Sequence, residues 1–178
     1  MGVKKYFIAI VIPEPLLAKT EAIKNDLFLA HGLKGALRSP SHITLHRPFE
    51  WKEEKENVLI EKLRMFHYNE TFHLELCHFG FFSPRVIYID VSKNESLFKL
   101  HTQLKHFAAR ELKLFNELED ERGFYPHVTV AFRDLKKSLF YQLQEEFKEK
   151  KLKESFSYSG FSLLKLEKDW KEIKLFNG

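Results

Sequence analysis

One three-residue pattern, His-x-Thr, occurs twice in this chain, each time on a stretch that reads as β-strand. The first copy lies in Ser41-His42-Ile43-Thr44-Leu45, after Pro40, and the second in Pro126-His127-Val128-Thr129-Val130. On a strand, residues i and i+2 share a face, so each copy sets an imidazole beside a hydroxyl. With 9 histidines and five threonines in 178 residues, chance supplies roughly a quarter of one such triplet. The fold therefore has to account for two distant strands of matching chemistry. If they meet, two histidines face each other across one groove, as acid–base chemistry at a phosphate requires. If they do not, they are two ordinary strand histidines.

Composition narrows the class. The 178 residues suffice for a buried core, and the 18 phenylalanines supply much of it. The single cysteine, Cys77, excludes an internal disulfide framework and fits a reducing, cytoplasmic setting. It lies in the apolar run Leu74-Glu75-Leu76-Cys77 and reads as strand filler. The run Tyr6 to Ile12 is too short to span a membrane and stops at Pro13-Glu14-Pro15 with no small-residue cleavage site. It reads as a buried first strand, so no membrane partner is expected. The net charge of +4 is compatible with a polyanionic ligand but is weak for a nucleic-acid footprint. The charged run Lys148 to Lys153 reads as a solvated helix face.

Along the chain, Leu16, Leu17, Thr20, Ile23, Leu27 and Phe28 define a helical face that stops at His31-Gly32. Glu53 to Phe66 reads as a second helix. Phe72 to Phe82 and Val86 to Val91 form a hairpin about Ser83-Pro84. A helix from about Leu97 to Leu114 follows, capped by Asn94 or Ser96. Glu117 to Gly123 is a charged loop, Leu135 to Lys150 a fourth helix, and Phe161 to Leu166 with Trp170 to Phe176 a closing hairpin. This order repeats strand, helix, motif strand, helix, hairpin. It predicts one α+β domain over residues 1–178, bilobal and duplicated, with two antiparallel sheets flanking a central cleft and helices outside. A pseudo-two-fold axis would bring His42 and His127 face to face. Nothing demands a dimer, and a monomer is expected.

Other residues join the candidates with two readings each. Arg85 either adds positive charge near a phosphate or is a solvated hairpin-turn arginine. His46 shares the expected face of His42 and Thr44, and either lines the groove or bonds backbone at the strand end. Arg133 binds phosphate or pairs with Asp134. Phe124 and Tyr125, before Pro126, stack a ligand or pack in the core, as do Phe49 and Trp51. A metal is not expected: His42 and His46 on a strand lie about 13 Å apart, His101 and His106 do not share a helix face, and there is no cysteine pair. His73 and His78 read as surface or strand-packing residues.

The two motifs, with Pro126 before the second, on a duplicated α+β chain of this length, resemble the 2H phosphoesterase superfamily. The nearest branch is the 2′-5′ RNA ligase-like proteins and RNA 2′,3′-cyclic phosphodiesterases. Phe79-Gly80-Phe81-Phe82 followed by Arg85-Val86-Ile87-Tyr88-Ile89 is similar to the family's central hairpin. The resemblance implies a bilobal fold with the site between lobes, no metal and no other cofactor. It implies a hydrolase of RNA-processing type that opens 2′,3′-cyclic phosphates of RNA or nucleotides to 2′-phosphates. His42 would be proton donor and His127 proton acceptor, with Thr44 and Thr129 on the phosphoryl oxygens. The segments His46-Arg47-Pro48-Phe49 and Ala131-Phe132-Arg133-Asp134 carry less of the likeness. Reversible 2′-5′ RNA ligation at the same site, or a non-catalytic RNA- or nucleotide-binding module, are the alternatives.

Overall fold

The computed structural model describes residues 2–116 and 123–177. The expected loop from Glu117 lies largely outside them. Strand β1 (Val3–Val11) is followed by helix α1 (Leu16–His31), which ends at Gly32. Gly32 has φ of 71° and donates its N–H to the Phe28 carbonyl, the left-handed stop a glycine accepts without strain. Then come β2 (His42–Lys52), α2 (Glu56–Arg64), β3 (Phe72–Phe82), β4 (Val86–Val91) and α3 (Glu95–Phe107). Asn94 is the cap of α3: its side chain accepts from the Leu97 N–H at 2.9 Å. The chain closes with β5 (His127–Ala131), α4 (Lys137–Phe147), β6 (Lys153–Tyr158), β7 (Phe161–Leu166) and β8 (Trp170–Phe176).

The two-sheet expectation is overturned. Among the described residues the strands form one 8-stranded sheet in the order β6-β3-β4-β5-β2-β1-β7-β8, with every pairing antiparallel. The two motif strands themselves make the join, pairing at Ile43 and Val128. Order along the chain cannot show whether two sets of strands bond to each other at their inner edges; here they do, so the fold is one continuous sheet and not a bilobal, duplicated pair. Connectivity also crosses over: the β7–β8 hairpin returns to β1, and β3–β4 joins β5. Strand β6 has no counterpart in the sequence reading. It is an edge strand with one buried side chain, Phe156, and its Lys, Glu and Ser residues give no apolar alternation.

The helices are not arranged around a cleft. Apolar residues of all four, including Leu27, Leu63, Leu100 and Phe140, share one cluster with Ile10, Ile43, Ile89 and Val128 of the strands. That cluster covers one face of the sheet. On the other face a small apolar group packs together, Phe7, Ala9 and Leu164 with Val11 and Trp170 at its margin. The centre of that second face is where the motif side chains emerge.

Candidate active site

The register of the central pair builds the site. Ile43 and Val128 are buried, 0% and 1% exposed, on the helix side. Antiparallel pairing at that point sets His42 across from Thr129 and Thr44 across from His127. The four side chains alternate imidazole and hydroxyl around a local two-fold axis on the opposite face, all partly exposed. Directly opposed neighbours of this kind have Cβ atoms about 5 Å apart and diagonal ones, as His42 and His127 are, about 7–8 Å, so the four side chains surround one small patch of this face.

Each ring is held the same way. His42 Nδ1 lies 2.7 Å from the Pro40 carbonyl, and His127 Nδ1 lies 2.7 Å from the Tyr125 carbonyl. A carbonyl only accepts, so Nδ1 carries hydrogen in both and proton exchange with a ligand falls to Nε2. His42 is pushed down to about 4, mainly by burial, with Lys24 and the neighbouring His127 ring adding to it. The Pro40 hydrogen bond and Glu21 oppose that shift. With nothing bound, His42 is neutral at pH 7.

Lys24 of α1 acts on His42 through space, its ammonium bonded to the Ser39 carbonyl three residues before that ring. It is 2% exposed, and burial holds its ammonium below the ordinary lysine range. Its Nζ donates to Glu21 Oε1 at 2.8 Å and to the Ser39 carbonyl at 2.9 Å. The same Glu21 oxygen accepts the Ser41 N–H at 2.7 Å and the Ser41 hydroxyl at 2.8 Å. Pro40, whose carbonyl clamps His42, is thus fixed from both sides.

Aromatic rings flank the pair. Phe7 lies 4.8 Å from His42, centroid to centroid, and Trp170 lies 4.6 Å from Phe7. Tyr88 and Phe82 lie 5.0 and 5.1 Å from His127, and Tyr125 packs on Phe82 at 5.6 Å. Gly80, opposite Tyr88 on β3, makes room for that ring: a Cβ there would lie 2.3 Å from a Tyr88 ring carbon. Gly80→Ala is expected to push Tyr88 toward His127. Turnover should fall more than melting temperature. A melting loss with unchanged turnover per folded molecule would show that the ring has no bearing on the site.

The other candidates divide. Tyr125 is 42% exposed at the rim beside His127. Phe124 instead stacks flat on His101 at 3.8 Å and packs on the core. His46 is 1% exposed and on the core side: a bulge between Thr44 and His46 sets it opposite Ile8, and its ring meets Phe49 at 5.5 Å. Phe49 is core and Trp51 leans on it. Arg85 is exposed in the β3–β4 turn. Arg133 lies beyond the end of β5 with φ of 65°, exposed, its guanidinium 5.0 Å from the Phe132 ring. Asp134 accepts the Lys34 and Gly35 N–H groups at 2.6 and 3.0 Å. Sequence reasoning missed Phe7, Tyr88, Phe82, Trp170, Glu21 and Lys24.

Comparison with known proteins gives the family of this fold. The model of the 2′-5′ RNA ligase superfamily matches residues 12–170, and the chain belongs to that family. A Bacillus cytotoxicus protein bearing the name phosphoesterase is 36% identical over 96 residues, 52% of this chain and 51% of its own. A Geobacillus protein so named is 32% identical over 99 residues, 54% and 53% of the two chains. The chain thus spans about half the length of these curated relatives. Among solved structures, Escherichia coli LigT complexed with 3′-AMP superposes with a TM-score of 0.67 at 21% identity, covering 99% of this chain and 98% of that one. The Thermus thermophilus protein TT0787 gives 0.66 at 19%, covering 97% of each. These likenesses show the fold. Among the described residues no helix is long and apolar enough to cross a membrane.

Proposed function

We propose that this protein opens 2′,3′-cyclic phosphates of RNA or nucleotides to 2′-phosphates, with His42 and His127 as the acid–base pair. The observation that carries the reading is the mirrored His-Thr, Thr-His register at the centre of the uncovered sheet face. A phosphate over the Ile43–Val128 pair meets an imidazole on either side, the geometry of in-line displacement. Water forms the new P–O bond while the bond from phosphorus to the ribose 3′ oxygen breaks. His127 takes the proton from water and His42 gives one to the leaving oxygen, the roles that the family resemblance implies. Thr44 and Thr129 donate to the non-bridging oxygens as charge builds there.

The lowered pKa of His42 bears on the donor role. An anion beside the ring favours the imidazolium, so binding of the phosphate draws from solvent the proton that His42 later gives up. Tyr125 and Trp170 stand at opposite ends of the pair and suit nucleobases by stacking. LigT, which shares the fold, has been solved with 3′-AMP, NADP+, phosphate and ATP, which supports a nucleotide-type ligand. With a 5′-hydroxyl in place of water, the same pair would form a 2′-5′ linkage instead of a free 2′-phosphate.

The test is a panel of 2′,3′-cyclic mononucleotides and short RNAs ending in a cyclic phosphate, with products assigned by phosphorus NMR. A 2′-phosphate product is expected. A 3′-phosphate product would reverse the direction of opening, and binding without turnover would make the protein a module.

A further inference from the structure

We infer that Cys77, His78 and Asp90 form a binding site for a zinc-like divalent cation at the edge of the groove, one strand beyond His127. Three ligand atoms of three different kinds, a thiol, an imidazole and a carboxylate, lie within 4.8 Å of one another. They converge for reasons visible in the register. Asp90 of β4 pairs with Cys77 of β3 on one side and with His127 of β5 on the other. Cys77, Asp90 and His127 therefore form one row across three strands, on the face that carries the catalytic pair.

His78 joins the row through a bulge. It is the extra residue between Cys77, paired to Asp90, and Phe79, paired to Ile89. Its φ is 37°, a left-handed value that a non-glycine residue adopts at a cost. The bulge is pinned by the His78 N–H, which donates to the Leu152 carbonyl at 2.9 Å. Regular alternation would send residue 78 to the helix side. The bulge brings its ring back instead, with Nε2 3.6 Å from Asp90 Oδ2. Asp90 Oδ1 accepts the Val91 N–H at 3.0 Å, which orients the carboxylate and leaves Oδ2 toward the histidine.

Size and chemistry select the ion. Zinc bonds of about 2.3 Å to sulfur and about 2.0 Å to nitrogen or oxygen place tetrahedral ligands roughly 3.5 Å apart. The cluster needs to close by about an ångström, which the exposed His78 side chain allows. A thiolate with an imidazole favours zinc or cobalt over magnesium or calcium, which prefer all-oxygen shells. Three protein ligands leave a fourth position for water or a phosphate oxygen. Cys77 Sγ now lies 3.4 Å from the Ser92 hydroxyl, a weak contact that an ion displaces. Lys153, across from Cys77 on β6, is exposed, and its flexible stem lets the ammonium stay in solvent.

The test titrates cobalt(II) into the intact protein held reduced by a phosphine. One equivalent is expected to give a sulfur-to-cobalt charge-transfer band in the near ultraviolet with intense tetrahedral visible bands, and zinc should bleach both. Cys77→Ser should abolish the charge-transfer band, and His78→Ala should weaken binding at least ~10-fold, the least that loss of even a supporting group costs. His42→Ala should bind cobalt like the parent protein. Cobalt bound without a thiolate band, or binding unchanged in both the Cys77 and His78 variants, would overturn the site. The readout is spectroscopic, so its failure leaves the phosphodiesterase proposal standing, and the reverse holds.

Discussion

His42→Ala and His127→Ala are each expected to lower turnover of a 2′,3′-cyclic nucleotide by ~10²–10⁴-fold, the usual worth of a positioned acid or base. The fold should survive. Both rings are partly exposed on the uncovered face, and each replacement removes one hydrogen bond to a carbonyl two residues back, worth about 1 kcal/mol. The double variant should be little worse than either single one, because the two groups act in one step. Thr44→Val and Thr129→Val should each cost roughly 10²-fold by losing a donor to the phosphoryl oxygens. Initial rates under saturating substrate, with melting curves for every variant, check the set. A His127 variant that turns over like its parent would remove the paired mechanism. The pH dependence adds a second readout: kcat/KM, which reports the free enzyme, should show a limb at about 4, the value to which His42 is lowered. The matching limb in kcat should lie higher, because a bound anion stabilises the imidazolium.

Much of this is legible in the sequence, for identifiable reasons. The motif strands announce themselves because i, i+2 chemistry survives any tertiary arrangement. Gly32 and Asn94 mark helix ends because their roles are local. The pairing of Ile43 with Val128 is not local, so a single sheet and two abutting sheets look alike until coordinates exist. Alternation puts His46 on the wrong face for a related reason: it counts residues, and a bulge adds one without a sequence signal. His78 shows the same effect in the opposite direction. Phe7 is hidden by its neighbours. Tyr6 through Ile10 are all buried, so β1 has no polar phase to show which residues face the helices and which face the groove. Lys24 lies one helical turn after Thr20 and three residues before Leu27, inside the buried stripe of α1. Its charge makes it read as solvent-facing.

Lys24 is therefore the position whose replacement should be most informative after the histidines. Lys24→Met keeps the length of the side chain and removes the charge. Two consequences follow with determinate signs. First, Glu21 loses its buried partner but keeps both Ser41 donors and some solvent. The expected stability loss is about 1–3 kcal/mol, below the usual cost of stranding a fully buried charge. Second, the Lys24 charge is one of the causes that depress His42, so without it the limb near 4 should move up toward the ordinary histidine value. Glu21→Gln should do the opposite to the limb. The amide oxygen still accepts from Ser41, but the negative charge that partly offsets Lys24 is gone, so His42 should become harder to protonate. Opposite displacements in the two variants, read from kcat/KM profiles and set beside denaturant stability, are what a charge pair tuning His42 requires. If both variants lost stability while the limb stayed in place, the pair would be only a brace between α1 and β2. If both moved it in the same direction, distortion of the Pro40 clamp, and not charge, would be the cause.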